Sequence, residues 1–263
     1  MSEKPSNTYK LTRPKAPLLS DLGGMKEARA WGERLAADLA AYKAGEIAWA
    51  EVDPGVLLYG PPGTGKTTNA RALAATCGVP LISASYSQWQ RAGTGHMGDV
   101  LAAIHDDFAL AKRNAPSILF VDELDTLPTR RTSRRNDDWW TGIINGFLEE
   151  LDGAEQREGV VVIGACNDPT SIDPAILRAG RFDRRIEIPM PTVADLEVIL
   201  RYHLGAASAS VDDIPSLAIL AAGMSGADVN QLVRDARRVA RQAREPLSRA
   251  HIVRVIEGSV EAI

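Results

Sequence analysis

One short segment of the chain combines glycines, a lysine and hydroxyl side chains between an apolar run and a helix-forming run. It reads Gly60, Pro61, Pro62, Gly63, Thr64, Gly65, Lys66, Thr67 and Thr68. The glycines let the backbone turn tightly, so that successive N–H groups can face an anion, and the start of the following helix adds partial positive charge. Lys66 can reach the β- and γ-phosphates of a nucleotide, and the Thr67 hydroxyl can ligate Mg²⁺. The segment therefore predicts a loop that binds a nucleoside triphosphate.

Two carboxylates follow a continuous apolar run further along the chain. Residues 118–121 read Ile-Leu-Phe-Val, which is typical of a buried parallel strand, and Asp122 and Glu123 come directly after them. Ligands bind at the carboxyl ends of the strands in such a sheet. Phosphoryl transfer needs a metal that neutralises charge and a group that positions the nucleophile. We therefore expect Asp122 to hold Mg²⁺ through water, opposite Thr67, and Glu123 to orient and deprotonate the attacking water.

A polar residue also ends the next apolar run, because Asn167 follows residues 159–166. Its amide can hydrogen-bond the γ-phosphate or the attacking water and so assist Glu123. Asn167 also precedes an Asp-Pro pair, and an asparagine in that position is typical of a turn. The residues by themselves leave both interpretations open.

The composition is that of an ordinary globular protein without a strong charge bias. Hydrophobic residues make up 45% and charged residues 24% of the 263 residues, and the formal net charge is −4. This balance indicates no general affinity for polyanions, although local basic patches remain possible. The N-terminus has no secretory signal pattern, and no apolar run approaches the roughly 18 residues of a membrane span. We expect a cytoplasmic protein that does not contact a membrane.

Apolar runs alternate with helix-forming segments as far as about residue 190. Strands are predicted at 55–59, 80–84, 117–121, 159–166 and 185–188, with helices between them. This alternation is typical of a three-layer α/β domain with a five-stranded parallel sheet. Four helices are predicted after residue 191. The chain is therefore divided into a flexible arm at 1–18, an α/β domain at 19–190 and a small all-α domain at 191–263.

The segment Ile172–Arg185 distinguishes among proteins that have a phosphate-binding loop. It reads Ile-Asp-Pro-Ala-Ile-Leu-Arg-Ala-Gly-Arg-Phe-Asp-Arg-Arg. Together with Gly164–Asn167, Gly60–Thr67, Leu119–Asp125 and Asp21–Gly24, it resembles the AAA branch of the AAA+ ATPases. The resemblance extends from about Leu19 to Gly258 and is nearest to the ATPase domain of the membrane-anchored AAA proteases. We expect neither a zinc protease domain nor a membrane anchor within these 263 residues.

The resemblance implies an α/β ATPase domain with a helical lid, which uses ATP and Mg²⁺ and assembles as a ring of six subunits with ATP between neighbours. It also implies roles for individual residues. Asn167 would be a sensor of the γ-phosphate, and Arg181 and Arg184 would act as arginine fingers in the neighbouring site. Gly23 and Gly24 would lie beside the adenine, and Gly226 and Ala227 near the nucleotide. Without the resemblance, the two arginines would be interpreted as surface residues paired with Asp173 or Asp183.

The chain departs from the family pattern where other members grip polypeptide. Their first pore loop carries an aromatic-apolar-glycine triplet, whereas the matching stretch here contains Trp89, Gln90 and Arg91, with Arg91 in the aromatic position. A second loop contributes Arg130, Arg131, Arg134 and Arg135. Loops of this kind would make a pore basic and suited to an acidic protein tail or to nucleic acid. The same run of charge is also typical of a solvated, mobile segment.

A second departure concerns the contact between subunits. Ala154 follows Asp152-Gly153, where the protease branch carries a phenylalanine that reaches the neighbouring subunit.

Three functions stay open on these grounds. The favoured one is an ATP-hydrolysing machine that remodels or unfolds a protein or protein complex. The others are a nucleic-acid-dependent ATPase that uses its basic loops, and a slow assembly module gated by nucleotide.

Overall fold

The computed structural model describes residues 11–15, 17–127, 137–152, 157–178, 180–182 and 184–260. These residues form two compact units. The first comprises the described residues of 1–19, 27–60 and 66–187. The second comprises those of 20–26, 61–65 and 188–263. The chain crosses from one unit to the other more than once, so the segment 60–67 contributes residues to both.

A mostly parallel sheet forms the centre of the first unit. Its strands are β1 (Leu11–Thr12), β2 (Gly55–Tyr59), β3 (Leu81–Ser85), β4 (Ser117–Asp122), β5 (Val160–Cys166) and β6 (Arg185–Glu187). They are hydrogen-bonded in the order β1-β3-β4-β5-β2-β6. Strands β2 to β6 all run parallel to one another. The predicted α/β fold with five parallel strands is confirmed.

Helices cover both faces of this sheet. The helices of the first unit are α1 (Lys26–Ala44), α2 (Lys66–Cys77), α3 (Tyr86–Gln90), α4 (Met97–Arg113) and α5 (Asp137–Asp152). In β4, Leu119 and Val121 pack in one apolar cluster with residues of α4 and α5. Ile118 and Phe120 point to the opposite face, since side chains alternate along a strand, and they are also buried. Burial on both faces explains why the parallel strands read as uninterrupted apolar runs.

The edge of the sheet differs from the prediction of a flexible arm at residues 1–18. Leu11 and Thr12 form a sixth strand that pairs antiparallel with Ile82 and Leu81 of β3. The unpaired backbone groups of an edge strand are a template for such an addition. Two residues are too few to show an alternating pattern, so the sequence carried no signal for this strand. Residues 1–10 and 16 lie outside the described residues.

The second unit is helical around its own apolar core. Its helices are α6 (Val193–Leu204), α7 (Ile214–Leu220), α8 (Gly226–Ala243) and α9 (Arg249–Val260). Thr192 with Asp195 and Ser225 with Asp228 form capping boxes that start α6 and α8, which satisfies backbone N–H groups at each helix start. The core contains Leu196, Leu200, Leu217, Val229, Val233 and Ile252. None of the helices in the described ranges is long and apolar enough to cross a membrane.

Candidate nucleotide site

Lys66 lies at the start of α2, directly after the loop that leaves β2. Its ammonium donates hydrogen bonds to the Gly60 carbonyl at 2.7 Å and to Oδ1 of Asn167 at 3.0 Å. The side chain is almost fully buried. Burial lowers the pKa of Lys66, and the nearby charge of Asp122 opposes that shift. A partly desolvated ammonium is therefore held at the carboxyl ends of β2 and β5, where it can meet phosphate oxygens.

Thr67 and Asp122 meet at the same edge of the sheet. The Thr67 hydroxyl donates to Oδ2 of Asp122 at 2.9 Å, and the backbone N–H of Glu123 donates to Oδ1 at 2.9 Å. Hydroxyl and carboxylate oxygens are hard ligands, and Mg²⁺ is commonly bound by one or two such groups together with substrate phosphates and water. The pair therefore fits Mg²⁺. Among the described residues, no group of three or more His, Cys, Asp or Glu side chains could hold a metal alone.

Glu123 has a left-handed backbone conformation, with φ 56° and ψ 41°. Such a conformation is uncommon for a residue other than glycine, and residues of this kind cluster at active sites. Its side chain is exposed, and its carbonyl accepts a hydrogen bond from the Thr126 hydroxyl at 2.6 Å. The chain thus turns sharply after β4 and leaves the Glu123 carboxylate in solvent beside Asp122.

Asn167 joins the same group of side chains. Its backbone N–H donates to Oδ2 of Asp125 at 2.8 Å, while its side-chain oxygen accepts from Lys66. Asp125 belonged to the segment that carried the family resemblance, but the sequence assigned it no role. The only signal was an acid two residues after Glu123. The structure brings Lys66, Thr67, Asp122 and Asn167 together, as the sequence predicts.

In the second unit, the middle of the phosphate loop packs against the start of α8. The backbone N–H of Ala227 donates to the Gly63 carbonyl at 3.0 Å. Gly63 has a φ of 76°, and a Cβ built on it would lie 2.5 Å from the Ser225 hydroxyl. Only glycine fits this close approach. The contact places Ala227, and the adjacent Gly226, beside the loop residue Gly63.

Gly23 and Gly24 lie against the start of α6 within the same unit. A Cβ on Gly23 would come within 2.7 Å of the Asp195 carbonyl, and Gly24 has a φ of 72° beside the Asp195 carboxylate. A larger residue would clash at the first position and be strained at the second. These contacts account for both glycines, and their predicted place beside an adenine stays a prediction.

Arg184 lies at the amino ends of the parallel strands, whereas Lys66 lies at their carboxyl ends. It directly precedes β6, and its carbonyl accepts a hydrogen bond from the Leu57 N–H at 2.9 Å. Its Nε donates to Oδ2 of Asp53 at 2.8 Å, and its side chain is 47% exposed. Asp53 precedes β2, so the pair sits at the amino ends of two parallel strands. Lys66, Thr67, Asp122 and Asn167 of the first unit sit at the carboxyl ends.

Arg181 differs from the predicted arginine finger, which would project into a neighbouring subunit. Its guanidinium forms a two-bond ion pair with the Asp152 carboxylate and also donates to the Ala175 carbonyl. The side chain is only 14% exposed. Asp152 is not one of the two acids, Asp173 and Asp183, that the sequence suggested as partners, and Asp183 lies outside the described residues. The reason is that α5 ends at Asp152 beside Arg181 in space, 29 residues away in the chain.

Trp89 is not available to grip a substrate, so its place in a pore loop is a wrong prediction. The indole is fully buried in the cluster formed with α4 and α5, and its Nε1 donates to the buried carboxylate of Asp107 at 2.7 Å. Gln90 donates to the Tyr86 hydroxyl at 2.7 Å. Arg91 is exposed, and its place in a pore loop stays a prediction. Arg130, Arg131, Arg134, Arg135 and Ala154 lie outside the described residues.

The fold and the site together define a phosphate-loop nucleoside triphosphatase. Residues 56–190, about half of the chain, match the model of the ATPase family associated with various cellular activities, AAA. The chain belongs to this family and is therefore an ATPase.

Relatives of known name agree with this assignment. The ATP-dependent zinc metalloprotease FtsH 3 of Sphaerobacter thermophilus is 41% identical over 188 residues, which cover 71% of this chain and 38% of that protein. FtsH 2 of Bdellovibrio bacteriovorus, of the same description, is 37% identical over 248 residues, which cover 92% of this chain and 40% of that protein. The chain thus spans at most two fifths of the length of these relatives, and matches their ATPase portion.

The Asp152–Arg181 pair leads to a prediction about stability. The hydrogen bonds from Arg181 lower the pKa of Asp152. A lowered folded-state pKa stabilises the protein above the ordinary pKa of about 4, and this stabilisation is lost as the pH falls through the lowered value. Asp152→Asn is therefore expected to reduce the free energy of unfolding by about 1 kcal/mol at pH 7, with a difference from wild type that shrinks toward pH 3. Urea unfolding at several pH values measures it.

Glu149→Gln, an exposed change on the same helix, is the control and is expected to change stability by less than about 0.5 kcal/mol. A loss for Asp152→Asn that stayed constant from pH 7 to pH 3 would show that the ion pair is not its cause.

Proposed function

We propose that this chain hydrolyses ATP with magnesium as one subunit of a ring, and that the ring uses this energy to remodel or unfold proteins. The observation that carries the proposal is the placement of charged groups at the two opposite edges of one parallel sheet. Lys66, Asp122 and Asn167 lie at the carboxyl ends of the strands, and Arg184 lies at the amino end of β6. Each subunit then offers half of a site on each edge.

The carboxyl-end group is arranged for hydrolysis. Lys66, held by Gly60 and Asn167, can turn its ammonium to the phosphates of ATP. Glu123 is exposed beside Asp122 and can orient a water and accept its proton. Thr67 and Asp122 would hold Mg²⁺, which when bound neutralises charge on the phosphates. Asn167 would then bind the γ-phosphate or the water through the amide that now contacts Lys66.

The distance along β2 explains why Arg184 would act on a neighbour. The strand and its flanks run from Asp53, beside Arg184, to Gly60, beside Lys66. Seven residues at about 3.3 Å each separate the two ends by roughly 20 Å. An arginine side chain cannot span that distance within its own chain. An arginine provided by another subunit stabilises charge on the γ-phosphate and is worth about 10³ or more in rate.

Of the two predicted fingers, Arg184 is the better candidate. Arg181 is largely buried and holds Asp152 and Ala175 of its own chain. Arg184 is about half exposed. We infer that Arg181 supports the segment from which Arg184 projects, and that Arg184 makes the contact in trans.

A protein substrate is proposed from the relatives, whose names describe ATP-dependent metalloproteases. The exposed residue that follows α3 is Arg91, where an aromatic would grip a chain by packing. An arginine instead binds carboxylates and phosphates. We therefore favour an acidic polypeptide, and nucleic acid is the second candidate for the same reason.

The proposed role of Glu123 in hydrolysis leads to a prediction. Glu123→Gln is expected to reduce ATP turnover by a factor on the order of 10² to 10⁴, the usual contribution of a positioned base, while ATP remains bound. Phosphate release and the nucleotide that copurifies with the protein measure the two effects. Glu187→Gln, an exposed change on β6, is the control, and near-normal hydrolysis by Glu123→Gln would refute the role.

A mixing experiment tests the shared site. Arg184→Ala subunits retain Glu123, and Glu123→Gln subunits retain Arg184, so each variant alone is expected to be nearly inactive. In mixed rings, a Glu123→Gln subunit can supply Arg184 to an Arg184→Ala subunit, and ATPase activity is expected to return. Two variants that stay inactive when mixed, although they coassemble, would contradict a finger in trans.

The substrate class is tested through Arg91. An unstructured acidic polypeptide is expected to stimulate ATP hydrolysis several-fold more than a basic one of equal length, and Arg91→Ala is expected to remove that stimulation. Arg113→Ala, an exposed change at the end of α4, is the control. Stimulation by DNA instead, with a steep loss at higher salt, would favour the nucleic-acid alternative. A lack of response to both would favour a slow assembly module.

A further inference from the structure

Three side chains from separate segments, those of Trp31, Asp53 and Arg184, are linked by hydrogen bonds. The indole Nε1 of Trp31, in α1, donates to Oδ2 of Asp53 at 2.8 Å. Nε of Arg184 donates to the same oxygen at 2.8 Å. Neither Trp31 nor Asp53 has a part in the nucleotide group described above, and the sequence assigned them no role.

The first member of this chain is fixed firmly. Trp31 is 2% exposed, so its ring is held by packing and its N–H has a fixed direction. A buried indole N–H needs an acceptor, which Asp53 supplies. Asp53 also precedes Pro54, and a residue before proline is restricted to extended conformations. The carboxylate therefore has little freedom.

The second contact passes this rigidity to Arg184. A free arginine samples many rotamers and loses that freedom when it binds. A carboxylate that engages Nε fixes the plane of the guanidinium, because its five N–H groups have one fork geometry. Both partners of the Asp53–Arg184 pair are partly exposed, so solvent screens their mutual attraction. The contact with Asp53 therefore orients the Arg184 guanidinium more than it neutralises its charge.

The surroundings of the pair are open to an incoming partner. A cavity of about 500 Å³ is lined by Asp53 and Arg184 together with Trp31, Arg34, Asp38 and Glu51. All of these residues belong to the first unit. The Arg184 guanidinium is thus accessible from this cavity while its Nε stays bonded to Asp53.

We propose that Asp53, anchored by Trp31, is a positioning residue that orients Arg184 for the ATP site of a neighbouring subunit. The inference rests on the proposed function, since it gives Arg184 a task in trans. It adds a residue that touches neither nucleotide nor metal and that acts on the neighbour's rate alone.

The test uses the mixed rings in which only one kind of interface is active. Glu123→Gln subunits are the donors of Arg184, and Arg184→Ala subunits are the acceptors that hydrolyse ATP. Asp53→Asn added to the donors is expected to lower the activity of the mixture about tenfold, the low end of the effect of removing a partner that orients a functional ligand. The same change added to the acceptors is expected to cost far less, because their Arg184 is already absent.

Asp38→Asn on the donors is the matched control, since it removes a carboxylate from the same cavity without touching the Trp31–Asp53–Arg184 contacts. It is expected to stay within about twofold of the parent mixture. In Asp53→Asn the amide oxygen can still accept from Trp31, but without the carboxylate charge its hydrogen bond to the Arg184 guanidinium is weaker, and thermal unfolding checks that the donors fold. If they do not, Asp53→Glu, which displaces the carboxylate by one methylene, takes its place with the same expected asymmetry.

The test distinguishes a failure of the proposed function from a failure of the proposed role of Asp53. A parent mixture of Glu123→Gln and Arg184→Ala that shows no activity would overturn the finger in trans, and with it the proposed function. An active parent mixture that is unchanged by Asp53→Asn on the donors would overturn the role of Asp53 alone. An equal loss on donors and acceptors would do the same, because it would indicate a structural effect. A faster mixture with Asp53→Asn donors would show that Asp53 restrains Arg184 instead of positioning it.

Discussion

The parallel direction of β2 to β6 is the constraint on which the rest of the structure depends. Strands that all run the same way collect every carboxyl end on one edge and every amino end on the other. Asp122 ends one such strand, Gly60 and Asn167 follow two others, and the three residues meet around Lys66 and Thr67. Asp53 and Arg184 precede two of the same strands and so meet at the opposite edge. One sheet therefore carries two groups of charged side chains at opposite ends, farther apart than one side chain can reach, and the proposed ring would use both.

The side chains at the carboxyl ends of the strands also show how the cost of burying the Lys66 cation is offset. Desolvation lowers the pKa of Lys66, and Asp122, Cys166 and Asp125 oppose the shift. Asp125 also accepts the Asn167 N–H. It thereby fixes the turn after β5 that aims the Asn167 oxygen at Lys66. Each acid near the loop thus has a structural partner, and Glu123 alone among the acids of residues 122–125 is placed in solvent in a left-handed conformation.

The sequence predicted the parts of the molecule that depend on local pattern. The buried strands appear as apolar runs because both faces are covered, and the phosphate loop has a spacing that few other structures require. It missed what depends on contacts between distant segments. Nothing near Arg181 in the chain indicates Asp152, nothing near Trp89 indicates the buried carboxylate of Asp107, and the two-residue strand at Leu11 has no periodicity. Arg181 and Arg184 both pair with acids, and a pattern of residue types cannot tell which of the two the fold buries.

The burial of Trp89 changes how the loop after α3 can meet a substrate. The backbone there is held by its own contacts, since the Asp99 carboxylate accepts hydrogen bonds from the N–H and the hydroxyl of Thr94 at 2.8 and 2.6 Å. Gly93 has a φ of 59°, and a Cβ on it would lie 2.6 Å from that carboxylate. The loop is therefore ordered around Asp99, with Arg91 exposed before it. An apolar grip relies on packing that any polypeptide can offer, whereas a guanidinium selects carboxylates or phosphates and weakens with salt. In the proposed ring, Arg91 would therefore select a substrate by its charge.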